Sequence, residues 1–140
     1  MKKSNHRVEV KIDANPDIVW DIVGSGTDVD KWLPVITSCK VEGNKRYCAT
    51  ADGNFEEDIL EVDQVNKIFS YFIPRQHLLP IKDIHGIMQV KTVDADTTIV
   101  SWSWTYLVED TDDLKVREAL NGLGEMGIKG IETFANHLVN

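Results

Sequence analysis

Arg46 and Glu57 stand in stretches that otherwise alternate like β-strands, and both fall on the apolar side of the alternation. That side also carries Cys39, Val41, Cys48, Phe55 and Ile59. A carboxylate among such neighbours has its pKa raised by burial, which makes Glu57 a candidate general acid or base. Arg46, diagonally across the same face, would instead hold it ionised in a structural pair, and this is the favoured reading. Glu61 is the alternative partner at the sheet edge. Tyr71 can offer a hydroxyl to a ligand carbonyl, so Glu57 and Tyr71 are the two catalytic candidates. Trp102 and Trp104 supply apolar area and a directional indole N–H, in a cavity wall or in an ordinary core. The same choice applies to Phe55, Ile59, Met88, Leu123, Gly127, Ile131 and Phe134. Arg75 and His77 follow Pro74 on a loop that could edge a cavity mouth, although solvation is the commoner state of such residues. His85 falls on the outer face.

Other chemistries lack their residues. No nucleophile stands beside a base, and no glycine-rich loop follows a strand to cradle phosphate. The four histidines and two cysteines show no metal-ligand spacing, so neither metal nor cofactor is expected. If Cys39 and Cys48 face each other, a strained cross-strand disulfide is possible, but packed thiols are expected in a reducing compartment.

The elements that must position these residues follow from periodicity. Arg7 to Ile12 alternates as a strand, lying near the last strand. Asn15-Pro16 starts a short helix that runs to Gly24, and a helical turn ends at Pro34. From Ile36 the chain reads as a meander. A Gly43-Asn44 hairpin pairs Val41 with Arg46 and Cys39 with Cys48, and an Asp52-Gly53 hairpin pairs Thr50 with Phe55 and Cys48 with Glu57. Lys40, Glu42, Lys45, Glu56 and Asp58 then face solvent, with Tyr47 and Leu60 as discordant companions. Ile68–Ile73 is a strand of undecided parity. Ile84–Val93 and Thr97–Leu107 form a last hairpin around a three-residue loop, with Met88 and Val90 on the tryptophan face. Leu114 to Val139 is a long helix with Val116, Leu120, Leu123, Gly127, Ile131, Phe134 and Leu138 as its apolar stripe. It contains Gly122, Gly124, Gly127 and Gly130, each costing about 1 kcal/mol against alanine, which implies close packing or room for a ligand.

The 140 residues, 42% of them hydrophobic, suffice for one domain with one core spanning residues 1–140. The net charge of −8, with no basic patch, disfavours nucleic acid and anionic membrane surfaces. Met1 to Arg7 lacks an apolar stretch behind it, so neither a leader nor a membrane insertion is expected and a cytoplasmic location is the default. A monomer or a homodimer is expected.

The order strand, two short helices, six strands and a long helix resembles the START-like or SRPBCC superfamily, and within it the polyketide cyclase/dehydrase-like group. The resemblance is carried by Ala14-Asn15-Pro16 with Trp20, Trp32-Leu33-Pro34, Val41-Glu42-Gly43, Glu57 to Asp63, Ser70-Tyr71 and Trp102. It implies an α+β helix-grip fold, in which a curved antiparallel sheet of about seven strands wraps the terminal helix around an internal cavity. Glu57 matches the glutamate of the family's strand pattern, but Asp58 follows where a basic residue is more usual.

Three functions fit. The first is binding of a small apolar or aromatic ligand, lipid- or polyketide-like, with Arg46, Glu57, Tyr71 and the indoles fixing its orientation. The second is a cyclase or dehydratase in which Glu57 or Tyr71 polarises a carbonyl. The third is an interaction domain with a collapsed interior. Fold alone does not choose among them.

Overall fold

The computed structural model describes residues 1–139. Strand β1 (Lys2–Ile12) is followed by helices α1 (Pro16–Ser25) and α2 (Val29–Trp32). Strands β2 (Ser38–Glu42), β3 (Lys45–Thr50), β4 (Gly53–Asp63), β5 (Ile68–Ile73), β6 (Ile81–Asp94) and β7 (Thr97–Val108) follow, then helix α3 (Asp113–Leu138). All seven strands form one antiparallel sheet in the order β1-β7-β6-β5-β4-β3-β2, with α3 packed across β1 and β7. This is the expected helix-grip architecture.

Local sequence explains the boundaries. Asn15 caps α1, its Oδ1 accepting from the backbone N–H groups of Asp17 and Ile18 at 3.0 and 3.1 Å, and Pro16 occupies the first turn. The helix ends at Gly26, whose φ of 71° is left-handed, and not at Gly24. Gly24 lies within the helix, where its lack of a side chain leaves room for the Trp20 ring; a Cβ there would stand 2.7 Å from that ring. Strand β1 begins five residues earlier than the apolar alternation suggests, since Lys2 pairs with Val108 and Ser4 with Tyr106. Ser4 is buried in place of an apolar residue and is satisfied there, donating to Asp113 and accepting from Arg117.

The first hairpin register is as expected, with Val41 opposite Arg46 and Cys39 opposite Cys48. The second differs: Thr50 pairs with Gly53, Cys48 with Phe55 and Arg46 with Glu57, so Ala51 and Asp52 make the turn. Thr50 stabilises it by accepting from Asp52 N–H and donating to Gly53 C=O. Gly53 belongs to the strand, with a φ of 147° and the His77 ring where a side chain would stand. The slip is two residues, so every side chain keeps its face. Lys40, Glu42, Tyr47, Glu56 and Leu60 are exposed, and the pairing with β5 is irregular between Ile59 and Glu61. In β6, Met88 opposes Trp102 and Val90 opposes Val100, as expected. That register comes from a two-residue turn plus one extra residue, Val93, which is exposed. A second extra residue around Asp83, at a φ of 52°, brings Ile81 onto the same face as Ile84.

The buried stripe of α3 is Val116, Leu120, Gly124, Gly127, Ile128, Ile131 and Ala135. Leu123 and Phe134 are only partly buried and Leu138 is 55% exposed, so the stripe is rotated from the expected one. The smallest residues come closest to their neighbours. A Cβ on Gly124 would stand 2.7 Å from Val8, one on Gly127 would stand 2.9 Å from Trp102, and one on Gly130 would overlap the Trp32 carbonyl oxygen. These three glycines therefore let α3 close onto β1, β7 and α2. Gly122 faces open space.

Candidate functional site

The helix does not fill all of the space between itself and the sheet. Under the first half, bordered by Ala119, Leu120 and Leu123, a cavity of about 490 Å³ remains. This lies within the roughly 300–1,000 Å³ usual for small-molecule sites. Its sheet wall carries Arg46, Phe55, Glu57, Tyr71, Met88, Trp102 and Trp104, all placed by the inward parity of β3 to β7. The interior is not collapsed. Ile59, Gly127 and Ile131 lie off the cavity wall: Gly127 packs on Trp102, Trp32 and Leu33, and Ile131 is fully buried.

Arg46 and Glu57 are 6% and 4% exposed and face each other directly, not diagonally. Arg46 Nε donates to Glu57 Oε1 at 2.9 Å and Nη2 donates to both carboxylate oxygens. Nη1 donates to the Gly26 carbonyl at 3.2 Å, which ties the pair to the end of α1. The guanidinium also lies over the rings of Phe69 and Tyr71, 4.9 and 5.4 Å from their centroids. Burial opposes the Arg46 cation, but the charge and hydrogen bonds of Glu57 outweigh it and hold its pKa above the ordinary value. Burial pushes the Glu57 carboxyl upward, and Arg46 only partly offsets this. Since a guanidinium does not give up its proton, Glu57 is the titrating member of the pair and its pKa is raised.

Tyr71 accepts from Trp102 Nε1 at 2.9 Å, so its own proton remains to be donated. Burial, reinforced by the Glu57 charge, keeps the phenol neutral by raising its pKa. Its ring lies over Gly86 on β6, where a Cβ would overlap it. A single glycine thus sets the tyrosine's inward position, which the β5 sequence left undecided.

The mouth is built by loops. Gln76 organises the β5–β6 connection: its Oε1 accepts from Leu78 and Leu79 N–H, and its Nε2 donates to the carbonyls of Leu79 and Ile81. His77 Nε2 lies 3.1 Å from the Asp52 carbonyl and joins this loop to the β3–β4 turn. Arg75 is not at the mouth; it borders a depression on the outer face of β2 to β4, with Lys40, Tyr47 and Glu56. Sequence reasoning missed Trp32, Leu33 and Ile36 as wall residues, as well as Gln76. The run Trp32-Leu33-Pro34 carried a usable signal, an aromatic and a leucine at the end of the short helix α2, with no strand of their own. Among the described residues no group of three or more His, Cys, Asp or Glu side chains is placed to hold a metal. None of the described helices is long and apolar enough to cross a membrane.

Comparison with known proteins matches this geometry. The sequence pattern of a family described as polyketide cyclase / dehydrase and lipid transport covers residues 5–136. An uncharacterised protein of Bacillus thuringiensis is similar in structure, with a TM-score of 0.84 at 23% identity, over 93% of this chain and 97% of that one. The protein XoxI of Bacillus cereus gives a TM-score of 0.85 at 23% identity, over 98% and 99% of the two chains. Norcoclaurine synthase of Thalictrum flavum gives 0.75 at 14% identity, over 97% and 88%. At these identities the likeness is one of fold. No curated protein sequence matches the chain significantly.

Proposed function

The chain belongs to the polyketide cyclase / dehydrase and lipid transport family, and from that premise we propose that it binds a small apolar or aromatic ligand between the sheet and the first half of α3. The observation that carries this reading is the cavity itself: about 490 Å³, walled by Phe55, Met88, Trp102, Trp104 and Leu123, with one compact polar cluster of Arg46, Glu57 and Tyr71. The apolar walls supply binding energy through buried area, and the polar cluster orients the ligand. Tyr71 has a proton to donate, so a ligand carbonyl, carboxylate or hydroxyl oxygen is directed toward it.

The same geometry weighs against general acid catalysis by Glu57. Its carboxylate is engaged on both oxygens by Arg46 and is not left free to face the cavity. A ligand that is held and released fits these contacts better than one that is chemically changed.

The test is a panel of medium-chain fatty acids, naphthols and polycyclic phenols, read by melting temperature, together with native mass spectrometry of freshly purified protein. A true ligand at a hundredfold excess over its Kd stabilises by about 2.7 kcal/mol. If no member of the panel raises the melting temperature and repeated preparations carry no bound small molecule, the binding reading is wrong.

A further inference from the structure

The binding reading gives no role to Cys39 or to Cys48, which borders the cavity, yet their arrangement is specific. They are directly opposed on β2 and β3, both are free thiols, and their sulfurs are 3.3 Å apart. Directly opposed residues of an antiparallel pair have Cα separations of about 4.5–5.5 Å, inside the range a disulfide tolerates. From 3.3 Å, bond formation needs only roughly 1.3 Å of sulfur travel. The strand that must yield is β2, a five-residue edge strand bonded on one side only. The two thiols are also unequal. Cys39 is half-buried and reachable from outside, whereas Cys48 is buried. The contact with Cys48 lowers the Cys39 pKa against the effect of burial, with help from the Arg46 charge; the same contact and burial push Cys48 up.

We propose that Cys39 and Cys48 are a thiol-redox site, oxidised by a hydroperoxide to an intramolecular disulfide and restored by a dithiol reductant. The Cys39 thiolate attacks a peroxide oxygen and the O–O bond breaks. The alkoxide leaves, takes up a proton to become an alcohol, and Cys39 is left as a sulfenic acid. The Cys48 sulfur then attacks the sulfenic sulfur; the S–O bond breaks, hydroxide departs with the Cys48 proton as water, and the S–S bond forms. The two thiols together lose two electrons, which the O–O bond accepts.

The experiment treats the folded protein with an equivalent of hydrogen peroxide and follows thiol count and intact mass. The expected result is loss of both thiols with the mass of two hydrogens, no covalent dimer, and full recovery on adding dithiothreitol. Cys48→Ser should accumulate a dimedone-reactive sulfenic acid at Cys39, and Cys39→Ser should react about tenfold more slowly than Cys48→Ser, because only the buried thiol is then left for the peroxide to reach. Oxygen additions without a disulfide, a disulfide-linked dimer as main product, or equal rates in the two variants would overturn the proposal. Ligand binding is not read, so failure here leaves the cavity reading untouched.

Discussion

Replacing Arg46 with methionine strips the 4% exposed Glu57 carboxylate of the cation paired with it while keeping an apolar stem over Phe69 and Tyr71. Removing one partner of a buried ion pair costs about 3–5 kcal/mol, because the remaining charge is neither hydrated nor paired. For 140 residues, an unfolding entropy of about 2.1 cal/mol/K per residue sums to roughly 0.3 kcal/mol per degree, so the melting temperature should fall by about 10–17 °C at pH 7. The sign of the pH dependence follows from Glu57. Its folded-state pKa is already raised by burial, and without Arg46 it rises further. A group raised in the folded state contributes stability that is complete below its unfolded pKa, about 4.3, and lost as pH climbs through the folded value. The deficit of Arg46→Met relative to wild type should therefore be greatest near neutrality and shrink toward pH 4. Adding Glu57→Gln to the variant should recover much of the loss at pH 7. Differential scanning calorimetry across pH reads all three proteins. A variant that melts within about 3 °C of wild type at pH 7, or a deficit that grows toward acid, would refute the pairing argument.

Three further outcomes are expected. Gly130→Ala places a Cβ on the Trp32 carbonyl and should cost about 3 kcal/mol or more in urea unfolding, whereas Gly122→Ala, in open space, should stabilise by up to about 1 kcal/mol; equal effects would mean α3 does not close on α2. Gly86→Ala displaces the Tyr71 ring and breaks its bond to Trp102, which should appear as a changed tryptophan emission and a loss of about 1–3 kcal/mol; an unaltered spectrum would contradict this. Asp113 is held below the ordinary carboxylate range chiefly by Lys2, with Arg117 and Ser4 assisting, so its contribution is present above the unfolded pKa and lost as pH falls through the folded one. Asp113→Asn should therefore flatten the acid side of the stability profile, measurably so in low salt.

Parity was the legible quantity in this sequence. Glu57 was expected opposite Cys48 and stands opposite Arg46, yet it faces inward either way, because a slip of two residues preserves the face and only a slip of one reverses it. The register error came from Gly53, which suggested a turn glycine but is required by the close approach of His77, a long-range contact with no local signal. The position of Tyr71 depends similarly on Gly86, fifteen residues along the chain. The terminal helix shows the opposite limit: hydrophobicity marks Leu123 and Leu138, while the tightest contacts fall to Gly124, Gly127 and Gly130, of which only Gly127 lies on the expected stripe. Of the two uses the sequence allows for these glycines, close packing or room for a ligand, Gly124, Gly127 and Gly130 serve the first, and Gly127 is not the cavity-wall residue it is expected to be.

Ala119 offers the most direct test of the cavity's role, because it is exposed on α3 and borders the cavity, so a tryptophan there blocks the space without entering the packed core. Wild type should bind the neutral dye N-phenylnaphthylamine saturably, and Ala119→Trp should bind it about tenfold or more weakly, a loss near 1.4 kcal/mol, with an unchanged melting temperature. Equal affinity in the two proteins would place the dye elsewhere and contradict binding between sheet and helix.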